Sequence, residues 1–134
     1  MTTDLTKPKS ILFVDDDKFL LDMYAVKFSK SNFDVRTAQG GEDALKIIRE
    51  GFEPDVLLID VVMPGMDGID LLGVLRKENL IKNAVIIMLT NQGFPDDISR
   101  AKKLNVDGYI IKATTIPSEV LTEVNKILYS AKDK

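Results

Sequence analysis

Acidic, hydroxyl and ammonium side chains directly follow four apolar segments of this 134-residue chain. If these segments are parallel strands, their carboxyl ends share one edge of a sheet, and ligands bind at that edge in open α/β folds. We therefore expect the side chains to meet in one pocket. They are Asp15, Asp16 and Asp17 after the first segment, then Asp60, Thr90 and Lys112 after three later ones.

A pocket of this composition suits phosphoryl chemistry. Carboxylates on neighbouring strands repel each other, and the repulsion raises at least one pKa unless a cation lies between them. Two cations are candidates, the Lys112 ammonium and a hard metal ion. The chain has no His and no Cys, so every metal ligand would be an oxygen atom, and such a set favours Mg²⁺. A carboxylate beside Mg²⁺, a lysine and a hydroxyl can accept a phosphoryl group as a nucleophile.

Each of these residues also has an ordinary structural explanation. Asp17 is predicted to cap the first helix, threonine is common at strand ends, and a single lysine is usually exposed. Asp60 is harder to explain in this way, because it follows four apolar residues and precedes three more, at the edge of the core. The combination indicates a functional site more strongly than any member does.

Composition excludes several other classes of protein. Without His, the chain has no Ser–His–Asp triad, no His-ligated zinc and no phosphohistidine of its own. A net charge of −3 argues against direct binding to nucleic acid. No apolar run approaches the roughly 20 residues of a membrane span, and residues 1–10 lack the apolar stretch of a signal peptide. We therefore expect a cytoplasmic protein with no membrane partner.

The apolar pattern predicts a single α/β domain. Continuous apolar runs are typical of parallel strands that are covered on both faces, whereas the more polar segment 34–38 suggests an edge strand. Amphipathic segments follow the strands, and Thr115 is predicted to cap the last of five helices. We expect a (βα)5 doubly wound fold over residues 9–130, with flexible ends at 1–8 and 131–134. The predicted strands are 11–14, 34–38, 56–59, 84–89 and 108–111, and a fourth helix contains Ile98, Ala101 and Leu104.

The ordered motifs resemble the receiver domain of two-component response regulators, including the single-domain chemotaxis type. The likeness covers nearly the whole chain, from about residue 9 to residue 128. It implies a flavodoxin-like, five-stranded parallel sheet of order 2-1-3-4-5, an order that the fold group is known for. The matching segments are 11–17, 56–60, 63–68, 86–90 and 107–112.

The resemblance implies that Asp60 accepts a phosphoryl group. The donor would be a phosphohistidine on a sensor histidine kinase or a histidine phosphotransfer protein. Asp16, Asp60 and the backbone carbonyl of Val62 would bind Mg²⁺ directly, and Asp15 would bind it through water. Such a domain is not a conventional enzyme, although it promotes its own phosphorylation and dephosphorylation.

The resemblance also implies a conformational switch. Thr90 and Lys112 would bind phosphoryl oxygens, and Thr90 and Tyr109 would form the switch pair. The surface of the fourth helix, the fifth strand and the fifth helix would then change its preference for an unidentified downstream protein. The sequence leaves open whether phosphorylation produces a homodimer, and whether the chain is complete or part of a longer protein.

The chain departs from the family pattern at two positions. Ala113 follows the lysine where the family usually has proline, and a cis bond before a non-proline residue costs about 3 kcal/mol. We therefore predict a trans Lys112–Ala113 peptide. Asn91 stands where a small residue is common, and we predict that Asn91→Ala changes the lifetime of the phosphoryl group.

Three alternatives remain at this point. A haloacid-dehalogenase-type phosphatase would use Asp15 and Asp17 as its D-x-D motif, but the chain lacks a cap insertion. A flavodoxin-like cofactor binder needs a phosphate-binding loop after the first strand, where three aspartates would repel phosphate. A degenerate receiver would bind partners without being phosphorylated.

Overall fold

The chain forms a five-stranded parallel sheet. The computed structural model describes residues 8–90, 99–100, 102–112 and 115–132. All neighbouring strands are parallel, in the order β2-β1-β3-β4-β5, so the predicted topology is confirmed. The strands are β1 (Lys9–Val14), β2 (Phe33–Ala38), β3 (Val56–Asp60), β4 (Val85–Thr90) and β5 (Gly108–Ile111).

Helices cover both faces of the sheet. Residues of α1 and the last helix pack on one face, and residues of α2 and α3 pack on the other. Alternate residues of β1 belong to the two cores, with Leu12 on one face and Phe13 on the other. This double burial explains why the central strands are apolar at every position. The helices are α1 (Lys18–Ser29), α2 (Gly41–Arg49), α3 (Gly68–Lys77) and the last helix (Pro117–Lys132).

The predicted fourth helix is described only in part. Residues 99–100 and 102–103 are helical, and Leu104 packs against the core shared by α2 and α3. Ile98 and Ala101 lie outside the described residues. So do Asn91 and Ala113, and the predictions that depend on them remain predictions.

The last helix begins differently from the prediction. Its first residue is Pro117, which is favoured at the first helical position, so Ile116 and not Thr115 occupies the capping position. The Ile116 N–H donates to the Glu119 carboxylate at 3.0 Å, while the Thr115 hydroxyl donates to the Ile111 carbonyl at 2.6 Å. The predicted Thr115 cap is therefore wrong, because the end of β5 uses its hydroxyl.

The structure bears on the boundaries of the domain and on the lengths of its helices. The last helix continues to Lys132, while residues 1–7 and 133–134 lie outside the described part, so the boundaries at 9 and 130 remain predictions. Within the described residues, every helix is too short or too polar to cross a bilayer.

Candidate functional site

The strand register brings the predicted site residues to one edge of the sheet. Val14 is paired with Ile59, so the residues that follow them are neighbours, Asp15 directly after β1 and Asp60 at the end of β3. In turn, Asp60 is paired with Leu89 on β4, and Thr90 is paired with the last residue of β5, directly before Lys112. The predicted common edge is therefore present in the structure.

The three consecutive aspartates have three different environments. Asp17 accepts the Leu20 N–H at 3.2 Å and caps α1, as predicted. Asp15 is only 1% exposed, and one of its oxygens accepts the Asp17 N–H at 2.9 Å. Asp16 is exposed. Helix capping thus occupies one carboxylate and leaves two for the pocket.

Lys112 lies between the two buried carboxylates. Its ammonium is 2.7 Å from Asp15 Oδ2 and 3.2 Å from Asp60 Oδ2. Asp60 is 2% exposed, and its Oδ1 accepts the Val62 N–H at 3.3 Å. Both oxygens of Asp60 are therefore held in place, one by a positive charge and one by the backbone of the following loop.

These surroundings shift the pKa values of both partners. Burial, and then the negative charge of Asp15, raise the pKa of Asp60 to about 6, although Lys112 and the Val62 N–H partly oppose this. Burial alone would lower the pKa of Lys112, but its contacts with Asp15 and Asp60 outweigh burial and raise it above its usual value. Asp60 is thus easier to protonate than an ordinary aspartate, and Lys112 is firmly cationic at neutral pH.

The acidic residues fit a small, hard cation. One oxygen each from Asp15, Asp16 and Asp60 lie within 4.8 Å of one another. Asp15 Oδ2 is buried and lies 2.7 Å from the Lys112 ammonium, and it accepts no hydrogen bond from any other described residue. Carboxylate oxygens with few hydrogen-bond partners are available to bind a metal, and Mg²⁺ prefers oxygen ligands in proteins.

The segment between β3 and α3, residues 61–67, follows the predicted acceptor Asp60 and is termed the acceptor loop. The Val61 N–H donates to the Leu89 carbonyl at 3.0 Å, and the Gly68 N–H donates to the Val61 carbonyl at 2.9 Å, which closes the loop. Gly65 has a φ of 74°, as the third residue of a type II turn requires after Pro64. The Val62 side chain is 60% exposed at the rim of the pocket.

Thr90 and Tyr109, the predicted switch pair, lie on the neighbouring strands β4 and β5, and their role as a switch stays a prediction. Thr90 is buried at the end of β4, at the edge that also carries Asp60. Tyr109 on β5 is half-buried against the core of α2 and α3, and burial raises its pKa. The metal-binding role of the Val62 carbonyl stays a prediction as well.

Tyr24 of α1 is close enough to the site to feel its charge, although no motif in the sequence connects it with the site. Tyr24 lies on the inward face of α1, where it is stacked on Phe13 with ring centroids 5.1 Å apart. Burial, and then the charge of Asp15, raise the pKa of Tyr24 to about 12. Helical side chains lean towards the helix N-terminus, so a long inward residue two turns along α1 reaches towards the pocket.

Comparison with known sequences gives a consistent family. A sequence model described as the response regulator receiver domain matches residues 11–125. The alkaline phosphatase synthesis transcriptional regulatory protein PhoP of Bacillus subtilis is 36% identical over 120 residues, which cover 90% of this chain and 48% of that protein. The DNA-binding response regulator MtrA of Mycobacterium tuberculosis is 34% identical over 119 residues, covering 89% and 50%. The chain thus spans about half the length of the curated relatives it matches.

Solved structures agree with this assignment. The Francisella response regulator 1452 receiver domain is 30% identical with a TM-score of 0.77, and the match covers 92% of this chain and 98% of that one. The chemotaxis protein CheY4 of Vibrio cholerae is 26% identical with a TM-score of 0.82, covering 90% and 98%. On its matched sequence, its fold and its clustered aspartates, this chain belongs to the response regulator receiver domain family of two-component systems.

Proposed function

We propose that the chain is a Mg²⁺-dependent phosphoacceptor switch in which Asp60 is the acceptor. The observation that carries the proposal is the buried Asp60 carboxylate, paired with Lys112 and within ligand distance of two further aspartates. A phosphohistidine on a sensor histidine kinase or a histidine phosphotransfer protein supplies the phosphoryl group. An Asp60 oxygen attacks phosphorus, the phosphorus–nitrogen bond breaks, and the histidine ring keeps the electron pair.

The residues around Asp60 have separate tasks in this reaction. Lys112 favours the ionised form of Asp60, which is the nucleophile, and then neutralises phosphoryl oxygens together with the Thr90 hydroxyl. Asp16, Asp60 and the Val62 carbonyl are the proposed direct ligands of Mg²⁺, with Asp15 acting through water. When bound, Mg²⁺ supplies positive charge for the transferring oxygens.

The apolar surface of α1 supports docking of a phosphodonor protein. Phe19, Met23 and Val26 follow each other at intervals of four and three residues, so they form one stripe. Phe19 is 74% exposed and Val26 is 58% exposed, while Met23 is less so. The stripe starts one turn from the aspartate run, which suits a donor helix that carries its phosphohistidine to Asp60.

The proposal also covers the downstream partner of the switch and the cellular compartment of the chain. Phosphorylation would move Thr90 and Tyr109 and change the surface of the predicted fourth helix, β5 and the last helix for a downstream protein or a second copy of the chain. This region itself would contact no nucleic acid, consistent with its net charge of −3, although relatives such as MtrA are DNA-binding. With a kinase as its partner, the chain would be cytoplasmic. The chain would promote its own phosphorylation and dephosphorylation, but this does not make it a conventional enzyme.

The phosphatase alternative has weaker support. Its D-x-D motif would need the Asp17 carboxylate as a second reactive group, but that carboxylate accepts the Leu20 N–H at the start of α1. The acceptor position on β3 has the buried, lysine-paired carboxylate instead.

Intact mass spectrometry after incubation with Mg²⁺ and acetyl phosphate tests the proposal. We expect the wild-type chain to gain the mass of one phosphoryl group, and Asp60→Asn to gain none. Asp34→Asn is the matched control, because Asp34 is exposed on β2 and should leave labelling unchanged. Labelling that persists in Asp60→Asn but is lost in Asp15→Asn would support the phosphatase alternative and overturn the proposal.

A further inference from the structure

Gly68, the first residue of α3, lies against the backbone of Asp60. A methyl group at Gly68 would be 2.3 Å from the Asp60 carbonyl oxygen and 2.8 Å from Ile59 Cγ2. Both distances are far shorter than van der Waals contact, and the nearest atom belongs to backbone, which cannot rotate away. Any side chain at position 68 must therefore move α3 or move Asp60.

The start of α3 has little freedom to move. The Gly68 N–H donates to the Val61 carbonyl at 2.9 Å, and Asp67 and Asp70 form a reciprocal capping box. Val61 is in turn bonded to Leu89 on β4. Because both ends of the acceptor loop are attached in this way, displacement by a side chain would reach Asp60 itself.

We propose that Gly68 is a positioning residue for the acceptor: its missing side chain lets α3 pack against the Asp60 backbone, and this contact fixes the Asp60 carboxylate relative to Lys112 and Asp15. The inference rests on the proposed phosphorylation of Asp60. Gly68 touches no reacting atom. It acts through Asp60, whose Oδ2 lies 3.2 Å from Lys112 Nζ in the present arrangement.

Two other glycines provide graded controls. For a methyl group at Gly41, the first residue of α2, the three nearest atoms would all belong to the Met66 side chain, the closest at 2.9 Å, and that side chain can change its rotamer. A methyl group at Gly73, within α3, would have nothing within 4 Å. Gly73→Ala should therefore stabilise α3 through helix propensity without touching the acceptor loop.

The experiment compares Gly68→Ala, Gly41→Ala and Gly73→Ala. For each variant, the phosphorylation rate with acetyl phosphate, the Mg²⁺ affinity and the melting temperature are measured. Misplacement of a reacting group by about 1 Å costs roughly 100-fold in rate, and we expect a loss of this order in Gly68→Ala. Its Mg²⁺ affinity should also weaken, because Asp60 is a proposed ligand. Gly41→Ala should lose little, and Gly73→Ala nothing.

The outcomes separate this inference from the proposed function. A folded Gly68→Ala variant with the wild-type rate and Mg²⁺ affinity overturns the inference alone, whereas a wild-type chain that is not labelled overturns the proposed function. If Gly68→Ala does not fold, the measurements are repeated in the stabilised Gly73→Ala background. A folded double variant with a low rate and weak Mg²⁺ binding supports the inference. A double variant that remains unfolded overturns it, because Gly68 is then needed for folding and not for the position of the acceptor.

Discussion

At the scale of single residues, the reactivity of Asp60 depends on two opposing influences. Burial and the Asp15 charge favour its protonated form, whereas Lys112 and the Val62 N–H favour the anion. Only the anion is a nucleophile, so under the proposed function Lys112 would have a task before any phosphoryl group arrives. The sequence predicts that Asp60 and Lys112 lie at one edge of the sheet. It does not predict which carboxylate oxygens Lys112 contacts. The backbone N–H groups of Asp17 and Val62 bind the other oxygens of Asp15 and Asp60, and this arrangement depends on packing.

Replacing Lys112 should therefore impair phosphorylation in a pH-dependent way. In Lys112→Met the positive charge between Asp15 and Asp60 is lost, so the pKa of Asp60 should rise further above its present value of about 6. We expect the phosphorylation rate near neutral pH to fall by about 100-fold, the usual order for removing one stabilising donor. The pH profile of labelling by acetyl phosphate should also move to higher pH. Lys82→Met, at an exposed position, is the control, and an unmoved profile in Lys112→Met would contradict this account.

The raised pKa of Asp60 also predicts how stability varies with pH in the absence of metal. The folded state holds the Asp60 proton up to about pH 6, whereas the unfolded state loses it near the ordinary value of 3.8. The folded state therefore loses stability relative to the unfolded state as pH rises through this window. Asp60→Asn removes that penalty, so its melting temperature should exceed the wild-type value more at about pH 7.5 than at about pH 4. A constant difference across this range would show that Asp60 does not titrate as described.

At the scale of elements, apolar patterning predicted the strands because each central strand is buried on both faces. Their ends were less predictable: β1 begins at Lys9, whose polar side chain gives no strand signal, because pairing with Phe33 of β2 extends it. The Thr115 cap failed for a related reason, since its hydroxyl donates to the Ile111 carbonyl at the end of β5. The approach of Gly68 to Asp60 depends on how α3 packs, and no local pattern predicts that distance.

The cap of α1 can be separated from the chemistry of the pocket. Asp17→Ala removes the side chain that accepts the Leu20 N–H, which should cost about 1 kcal/mol of stability. The Asp17 N–H that holds Asp15 remains, so the phosphorylation rate should not change. Thermal melting and acetyl phosphate labelling measure the two effects, and Asp17→Ser should restore the melting temperature. Loss of labelling in Asp17→Ser would instead indicate a chemical role for that carboxylate.

The apolar stripe of α1 predicts a difference between protein donors and small donors. Phe19→Ala removes an exposed ring that closely follows the aspartates in the chain, so transfer from a phosphorylated kinase should slow while labelling by acetyl phosphate is unaffected. Tyr129→Ala is the matched control, because Tyr129 is similarly exposed on the last helix. Equal transfer rates for the two variants and the wild type would exclude the stripe as a donor surface.

At the scale of the whole molecule, the sheet brings three negative side chains together at one edge, where their mutual repulsion opposes folding and a bound cation would relieve it. A cation that binds only the folded state adds stability in proportion to the logarithm of its concentration, about 2.7 kcal/mol at roughly 100 times its Kd. We therefore expect Mg²⁺ to raise the melting temperature and a chelator to reverse the increase. The increase should be larger at about pH 7.5 than at about pH 5, because protons compete with the metal at Asp60.

Asp16→Asn is the informative variant, because Asp16 is exposed and belongs to the acidic group. Its melting temperature without metal should equal the wild-type value, whereas most of the increase caused by Mg²⁺ should be lost. An equal Mg²⁺ effect in Asp16→Asn and the wild type would mean that the ion binds elsewhere.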